Sequence, residues 1–223
     1  MWPRSARELV DAQHALAAAT APPWRPAGRL AVGACVVTFP RGRTGRGDRG
    51  DAAWAAAAVL RGRRMLARAA VRGHAGAPYE PGLLALREGP MLEAAVRALA
   101  VSPDAVLVDA TGRDHPRRAG LALHLGAVLG LPTVGVTHRP LLAAGDWPAE
   151  ARGAHSPLLL DGERVGSWLR TRGGARPLAV HAGWRTDPDV AIAVVLAATR
   201  GHRTPEPLRC ARRLARLARA RDR

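Results

Sequence analysis

The 223-residue chain predicts an α/β fold: a mixed central sheet with helices packed on it. Three observations lead there. Continuous apolar runs of strand length recur, amphipathic stretches of helix length alternate with the later ones, and Gly- and Pro-rich turns separate them.

Residues 5 to 19 have helical periodicity, with Ser5 as N-cap and Glu8 three residues on. Ala21 to Gly28 is a Pro-rich connector, and the unbroken apolar run Leu30 to Phe39 predicts a buried central strand. Pro40 to Asp51 (PRGRTGRGDRGD) is a polar Gly/Arg loop. Ala52 to Leu60 and Met65 to Val71 flank an Arg61-Gly62 turn and complete an antiparallel meander. A helix follows from about Leu83 to Ala100, then a short buried strand Ala105 to Asp109. A second helix runs Arg118 to Gly130, closed by its C-terminal glycine, ahead of a strand at Pro132 to Val136. The order β-β-β-α-β-α-β is that of a mixed sheet. Ser156 to Leu160 and Val165 to Arg170 form a hairpin around Asp161-Gly162, and helices near 187–199 and 206–220 end the chain. With no internal repeat and no second apolar core, residues 1–223 are expected to form one domain.

Hydrophobic residues make up 48% of the chain, enough to build a core. The 34 basic residues, all arginine, against 18 acidic ones give a formal charge of +16. GC-rich codon usage accounts for arginine over lysine; the excess of cations over anions points to a polyanionic partner, nucleic acid. Arg41, Arg43, Arg46 and Arg49 line the Gly-rich loop, and Arg209, Arg212, Arg213, Arg216, Arg219, Arg221 and Arg223 crowd the last helix, with Leu208, Leu214 and Leu217 available to dock it. Such a face tracks phosphates or simply solubilises the chain. Cys35 and Cys210 form no disulfide framework, so reduced thiols and a cytoplasmic setting are expected. No apolar stretch reaches the ~20 residues of a membrane span. The start, MWPRSARELVDAQ, lacks the apolar core of a signal peptide.

The chemistry-bearing residues concentrate in PYEPGLLALREGP and DATGRDHPRRAGLALHLG. With LPTVGVTHRPL, SPLLLDGERVGSWLRTR and GHRTPEPLRCARRLA, these segments resemble the endonuclease V family over nearly the whole chain, in order and with matching spacing. The resemblance implies a ribonuclease H-like fold and metal-dependent phosphodiester hydrolysis near deoxyinosine or other deaminated bases. The partner would be DNA, with RNA possible, and the protein would act as a monomer. It assigns Glu88 and Asp109 as carboxylate ligands of Mg²⁺ or Mn²⁺, oxygen donors of the kind a hard ion prefers. His115 would orient a water or carry a second metal, and His138 stands where the family has a lysine. Pro78, Tyr79, Pro81 and Gly82 would form a wedge loop whose ring parts the strands, Gly112 and Gly135 would leave room for an extruded base, and Arg117 and Arg118 would stand beside it. His124, on the inner part of a helix, reads as structural.

The chain also departs from the family. In the first strand, GACVVTFP, aligning Thr38 and Phe39 places Val36 where the family has a metal-bridging aspartate. The late Gly-His is Gly183-Trp184, and the wedge loop carries Glu80. Asp48, Asp51, Asp114 and Glu80 are the candidate replacement carboxylates. The loss supports an alternative: a nucleic-acid-binding module of the same fold in which cleavage is weak or absent.

Overall fold

A computed structural model describes residues 2–42 and 45–222; Arg43 and Arg223, two of the expected phosphate-facing arginines, lie outside the described residues. The chain runs α1 (Ala6–Ala18), β1 (Ala31–Thr38), β2 (Ala52–Arg61), β3 (Arg64–His74), α2 (Leu84–Arg97), β4 (Ala105–Val108), α3 (Leu121–Leu129), β5 (Thr133–Thr137), β6 (His155–Leu160), β7 (Glu163–Leu169), β8 (Leu178–Ala182), α4 (Pro188–Ala197) and α5 (Glu206–Arg221). The strands form one sheet in the order β3-β2-β1-β4-β5-β8-β7-β6. β1, β4 and β5 are parallel, and the flanking pairs are antiparallel. This is the mixed sheet expected from the sequence.

β1 sits inside this sheet with both faces covered, which is why its sequence is an unbroken apolar run. Side chains alternate across a strand, so neighbours on β1 serve different cores. Val32, Ala34 and Val36 enter the core under α4 and α5. Cys35 enters the opposite core, with Leu92 and Ala95 of α2 and Leu121 of α3. α5 docks through Leu208, Ala211 and Ala215. Leu217, expected to dock with Leu208, is 46% exposed. The alanines let the helix lie closer to β1 and β2 than a leucine seam would.

Ser5 caps α1 reciprocally with Glu8: the Glu8 N–H donates to Ser5 Oγ at 3.2 Å, and the Glu8 carboxylate accepts from the Arg4 N–H at 2.9 Å. The Asp161-Gly162 hairpin turn is present, both residues having positive φ. One helix start and one strand differ from expectation in ways that bear on the site. α3 begins at Leu121 rather than Arg118, because Arg118 adopts φ 54 and residues 109–120 form a loop leading on from the C-terminal end of β4. β8 was not anticipated: its five residues, interrupted by His181, are too short for periodicity to separate from a connector.

α2 contains Pro90, which donates no N–H to the carbonyl of Leu86. The main chain at Gly76 lies against that opened turn, and its N–H donates to Arg87 O at 3.2 Å. The segment leading into the Pro78–Gly82 loop is thereby tied to the helix that carries Glu88.

Candidate functional site

A cavity of about 200 Å³ opens beyond the C-terminal ends of β4 and β5. Tyr79, Glu80, Pro81 and Gly82 wall one side; Asp109, Thr111, His115 and Thr137 wall the other. The loop is clamped at both ends. The Tyr79 N–H donates to Arg46 O at 2.7 Å, joining it to the Gly/Arg loop. At the far end the Gly82 carbonyl faces three donors: Gln13 Nε2 at 3.0 Å, Arg117 Nη2 at 2.9 Å and His115 Nε2 at 3.1 Å. Between these anchors the Tyr79 ring remains 45% exposed. Pro78 is exposed beside it but does not line the cavity.

This clamp sets the state of His115. Its Nδ1 accepts from the Arg117 N–H at 3.2 Å, so the ring proton resides on Nε2 and points to Gly82 O. Burial holds the imidazole well below its usual range, at about 4, so it is neutral at physiological pH. One ring nitrogen holds the loop at Gly82, and the other accepts from the neighbouring main chain at Arg117. Arg117, which also donates from Nε to Gln13 Oε1 at 2.6 Å, is engaged there too. Arg118 reaches the β6–β7 hairpin instead, donating to Leu160 O at 2.9 Å and to Asp161 at 3.0 Å.

Glu88 projects from α2 toward the sheet; surface area leaves it partly exposed, yet protein atoms surround its carboxyl. Burial pushes it up to about 8, and the nearby Asp109 charge adds to this while Arg87 opposes it. Cys35, fully buried on β1, pairs with Val108 next to Asp109 and lies on the α2 side of the sheet; burial, then the charges of Asp109 and Glu88, push its thiol far above its ordinary value. The first-strand residue facing this acid pair is therefore Cys35, and the placement of Val36 there is corrected. Val36 points to the α4/α5 core, one residue out of phase.

Asp109 follows β4 and carries a partner absent from the sequence reading. Arg212 Nη2, from α5, donates to Asp109 Oδ2 at 2.8 Å. His138 is exposed just past β5, held down by partial burial and by the charges of Arg203 and Arg212, with Asp109 opposing them.

Of the candidate replacement acids, Asp114 and Asp51 are committed elsewhere and Glu80 lines the cavity. Asp114 is wholly buried and accepts from the N–H groups of Leu141, Leu142 and Ala143. Asp51 is buried against Arg87 at 3.3 Å, and its carboxylate accepts from the Asp48 N–H at 2.8 Å. Glu80 lines the cavity from the exposed loop. Among the described residues no three His, Cys, Asp or Glu side chains are grouped to hold a metal ion. The carboxylates that line the pocket are Glu80 and Asp109, the latter already paired to a guanidinium; Glu88 and the buried thiol of Cys35, which a hard ion disfavours, are not among its lining residues. As arranged, they do not fit Mg²⁺.

Gly112 and Gly135 do not line the cavity; they allow main-chain contact. A Cβ on Gly112 would stand 1.9 Å from Ala182 O, and one on Gly135 would stand 2.4 Å from Ala110 O. The Gly183-Trp184 turn bonds to Thr133 at the start of β5, the end remote from Asp109. His124 is buried and stacked on Trp2 at 4.5 Å between centroids, a structural placement as expected. Sequence reasoning missed Gln13, Cys35 and Arg212 as site residues. For Cys35 the available signal was strand alternation. For Arg212 it was its place in the segment GHRTPEPLRCARRLA.

The endonuclease V family model matches residues 33–213. The chain belongs to the endonuclease V family. Endonuclease V of Streptomyces avermitilis is 43% identical over 173 residues, covering 77% of this chain and 76% of that one. The crystal structure of the Streptomyces avermitilis endonuclease V superposes with a TM-score of 0.87 at 37% identity, covering 99% and 96% of the two chains. The fold is accordingly ribonuclease H-like. A Ciona intestinalis endonuclease V, crystallised with a 24mer DNA containing an inosine followed by a ribo-adenosine, shares the fold at TM-score 0.78 and 20% identity, covering 97% and 98%. Endonuclease V proteins are nucleases, so the family is one of hydrolases acting on phosphodiester bonds. Among the described residues no helix is long and apolar enough to cross a membrane.

Proposed function

We propose that this chain is a DNA-repair protein of the endonuclease V type that engages DNA at deoxyinosine or a related deaminated base. The observation that carries this reading is the clamped Tyr79 loop standing over a cavity with Asp109 on its opposite wall. A stiffly held aromatic ring at the rim suits stacking between separated bases. A cavity below the ~300–1,000 Å³ of drug-sized sites suits one extruded ring system. The net charge of +16 favours the phosphate backbone. The protein acts as a monomer in a reducing, cytoplasmic compartment, consistent with its two free thiols. Hydrolysis of a phosphodiester beside the base is the outcome family membership supports, with Glu88 and Asp109 as the acids the family resemblance assigns to it.

A second reading concerns only that last step, and two residues favour it. Cys35 stands where a third carboxylate would face Glu88, and Arg212 occupies Asp109. Engagement without efficient cleavage follows from them.

The test is binding and cleavage of matched oligonucleotides with and without inosine, as DNA and as RNA, with Mg²⁺ or Mn²⁺ present. Binding that prefers inosine and weakens in Tyr79→Ala is expected; equal affinity for both strands refutes the proposal. Cutting that Asp109→Ala abolishes establishes the first outcome. Inosine-selective binding with intact strands establishes the second.

A further inference from the structure

The positive charge facing Asp109 belongs to the protein itself. Arg212 is held by a helix that cannot easily move. Ala211 is fully buried beside it, Leu208 and Ala215 lie one turn to either side on the same seam, and Arg219 donates to Thr38 Oγ1 at 3.0 Å and to Phe39 O at 2.8 Å. From this base the guanidinium reaches Asp109 Oδ2 at 2.8 Å, with its side chain 25% exposed. Only Nη2 is engaged in a described contact, so other N–H donors of the planar fork stay available beside Asp109, which lines the cavity. His138 and Arg203 lie on the same side, close enough for the charges of Arg203 and Arg212 to act on the His138 ring. Toward the sheet interior, the fully buried Cys35, paired with Val108 beside Asp109, puts a thiol where an acid would add charge for a divalent ion.

We propose that Arg212 supplies, as a tethered guanidinium, the positive charge that a divalent ion would bring to Asp109, and that it holds a strand phosphate there without metal. A guanidinium matches a phosphodiester bidentately through two parallel N–H···O bonds. It also coordinates no water, so it cannot generate the hydroxide that a metal ion provides. The same substitution thus preserves anchorage of the strand and removes the nucleophile. This inference deepens the second reading above and rests on Glu88 and Asp109 being the acids of the family's centre.

The experiment uses the full chain and a fluorescent single-stranded oligonucleotide, with metal uptake followed separately as loss of the free Mn²⁺ resonance. Wild type is expected to bind the strand equally in EDTA and in Mg²⁺, and to take up no Mn²⁺ saturably. Arg212→Gln is expected to lose about 10- to 100-fold in affinity, the range for charge-assisted hydrogen bonds to one phosphate. Arg212→Lys, which keeps the charge, is expected to recover part of it. Cys35→Asp combined with Arg212→Gln is expected to gain saturable Mn²⁺ binding. Circular dichroism establishes that each variant is folded, and Arg212→Lys carries the test if the glutamine variant is not: its affinity must fall below wild type while staying independent of Mg²⁺. A wild type that requires Mg²⁺ to bind the strand overturns the proposal. So does saturable Mn²⁺ uptake by wild type that Asp109→Asn abolishes, or unchanged affinity in Arg212→Gln. Loss of inosine preference alone refutes the deaminated-base reading and leaves this one standing.

Discussion

Asp114→Ala removes an acceptor around which one wall of the cavity is folded. Asp114 has no exposed surface, and three main-chain N–H groups converge on it: Leu141 at 2.6 Å on Oδ2, Leu142 at 2.9 Å and Ala143 at 2.8 Å on Oδ1. Hydrogen bonds to a charged acceptor contribute ~1.5–3 kcal/mol each. Leu141 and Leu142 are at least 43% exposed, so their N–H groups can turn to water after truncation. Ala143 is 5% exposed, and its N–H keeps its full desolvation penalty. Relief of burying a carboxylate offsets part of the loss. The net expectation is ~3–5 kcal/mol, a large share of the ~5–15 kcal/mol available to a folded domain. Asp114→Asn separates the contributions: its oxygen can retain Leu142 and Ala143, while its amide cannot accept from Leu141, so the cost should be ~1–3 kcal/mol. Urea unfolding followed by circular dichroism gives both values, and amide exchange at 141–143 gives their location. An Asp114→Ala protein within ~1 kcal/mol of wild type, with exchange at 141–143 unchanged, would refute the assignment of this acid to structure.

Tyr79→Ala should leave stability within ~0.5 kcal/mol, since the ring is 45% exposed, while strand binding falls by the ~1–3 kcal/mol of one stacked base; a thermal melt and a binding titration compare the two. Gly112→Ala should cost at least ~3 kcal/mol or prevent folding, because its methyl would meet the Ala182 carbonyl at 1.9 Å; soluble yield and melting temperature report it. Acid should destabilise the fold through His124 and His181, both held at about 4 by burial against an ordinary value near 6.5. The unfolded chain takes up these protons first, so their contribution is intact above pH ~6.5 and lost as pH falls toward 4. Glu88, held at about 8, acts in the opposite direction over this range, so the expected outcome is comparative: the change in melting temperature from pH 7 to pH 5 should be less unfavourable in His124→Gln than in wild type. Strand affinity should decline with rising salt, log K falling linearly with log salt concentration, and a flat response would exclude phosphate tracking.

Strand and helix patterning made much of this protein legible before any coordinates. The meander, the β4–α3–β5 unit and the capped α1 follow from apolar runs, alternation and cap residues, which are local signals. Glu88, Asp109 and the Tyr79 loop were also legible, because they sit in long segments resembling one family. The boundary of α3 was not, since a non-glycine residue at φ 54 leaves no trace in periodicity. β8 was lost because a short central strand depends on neighbours supplied by β5 and β7.

Tertiary structure alone decided what the acids face. Alternation along β1 puts either Cys35 or Val36 toward α2, and packing between two helical layers fixed the choice as Cys35. The partner of Asp109 lies 103 residues away on α5, a distance no local pattern spans. Likewise His115 could be read as a catalytic base from its motif, whereas its two hydrogen bonds place it in the Gly82 clamp. Residue type sets which chemistry a side chain can perform. The three-dimensional neighbours set which of its lone pairs, protons and charges remain available to perform it.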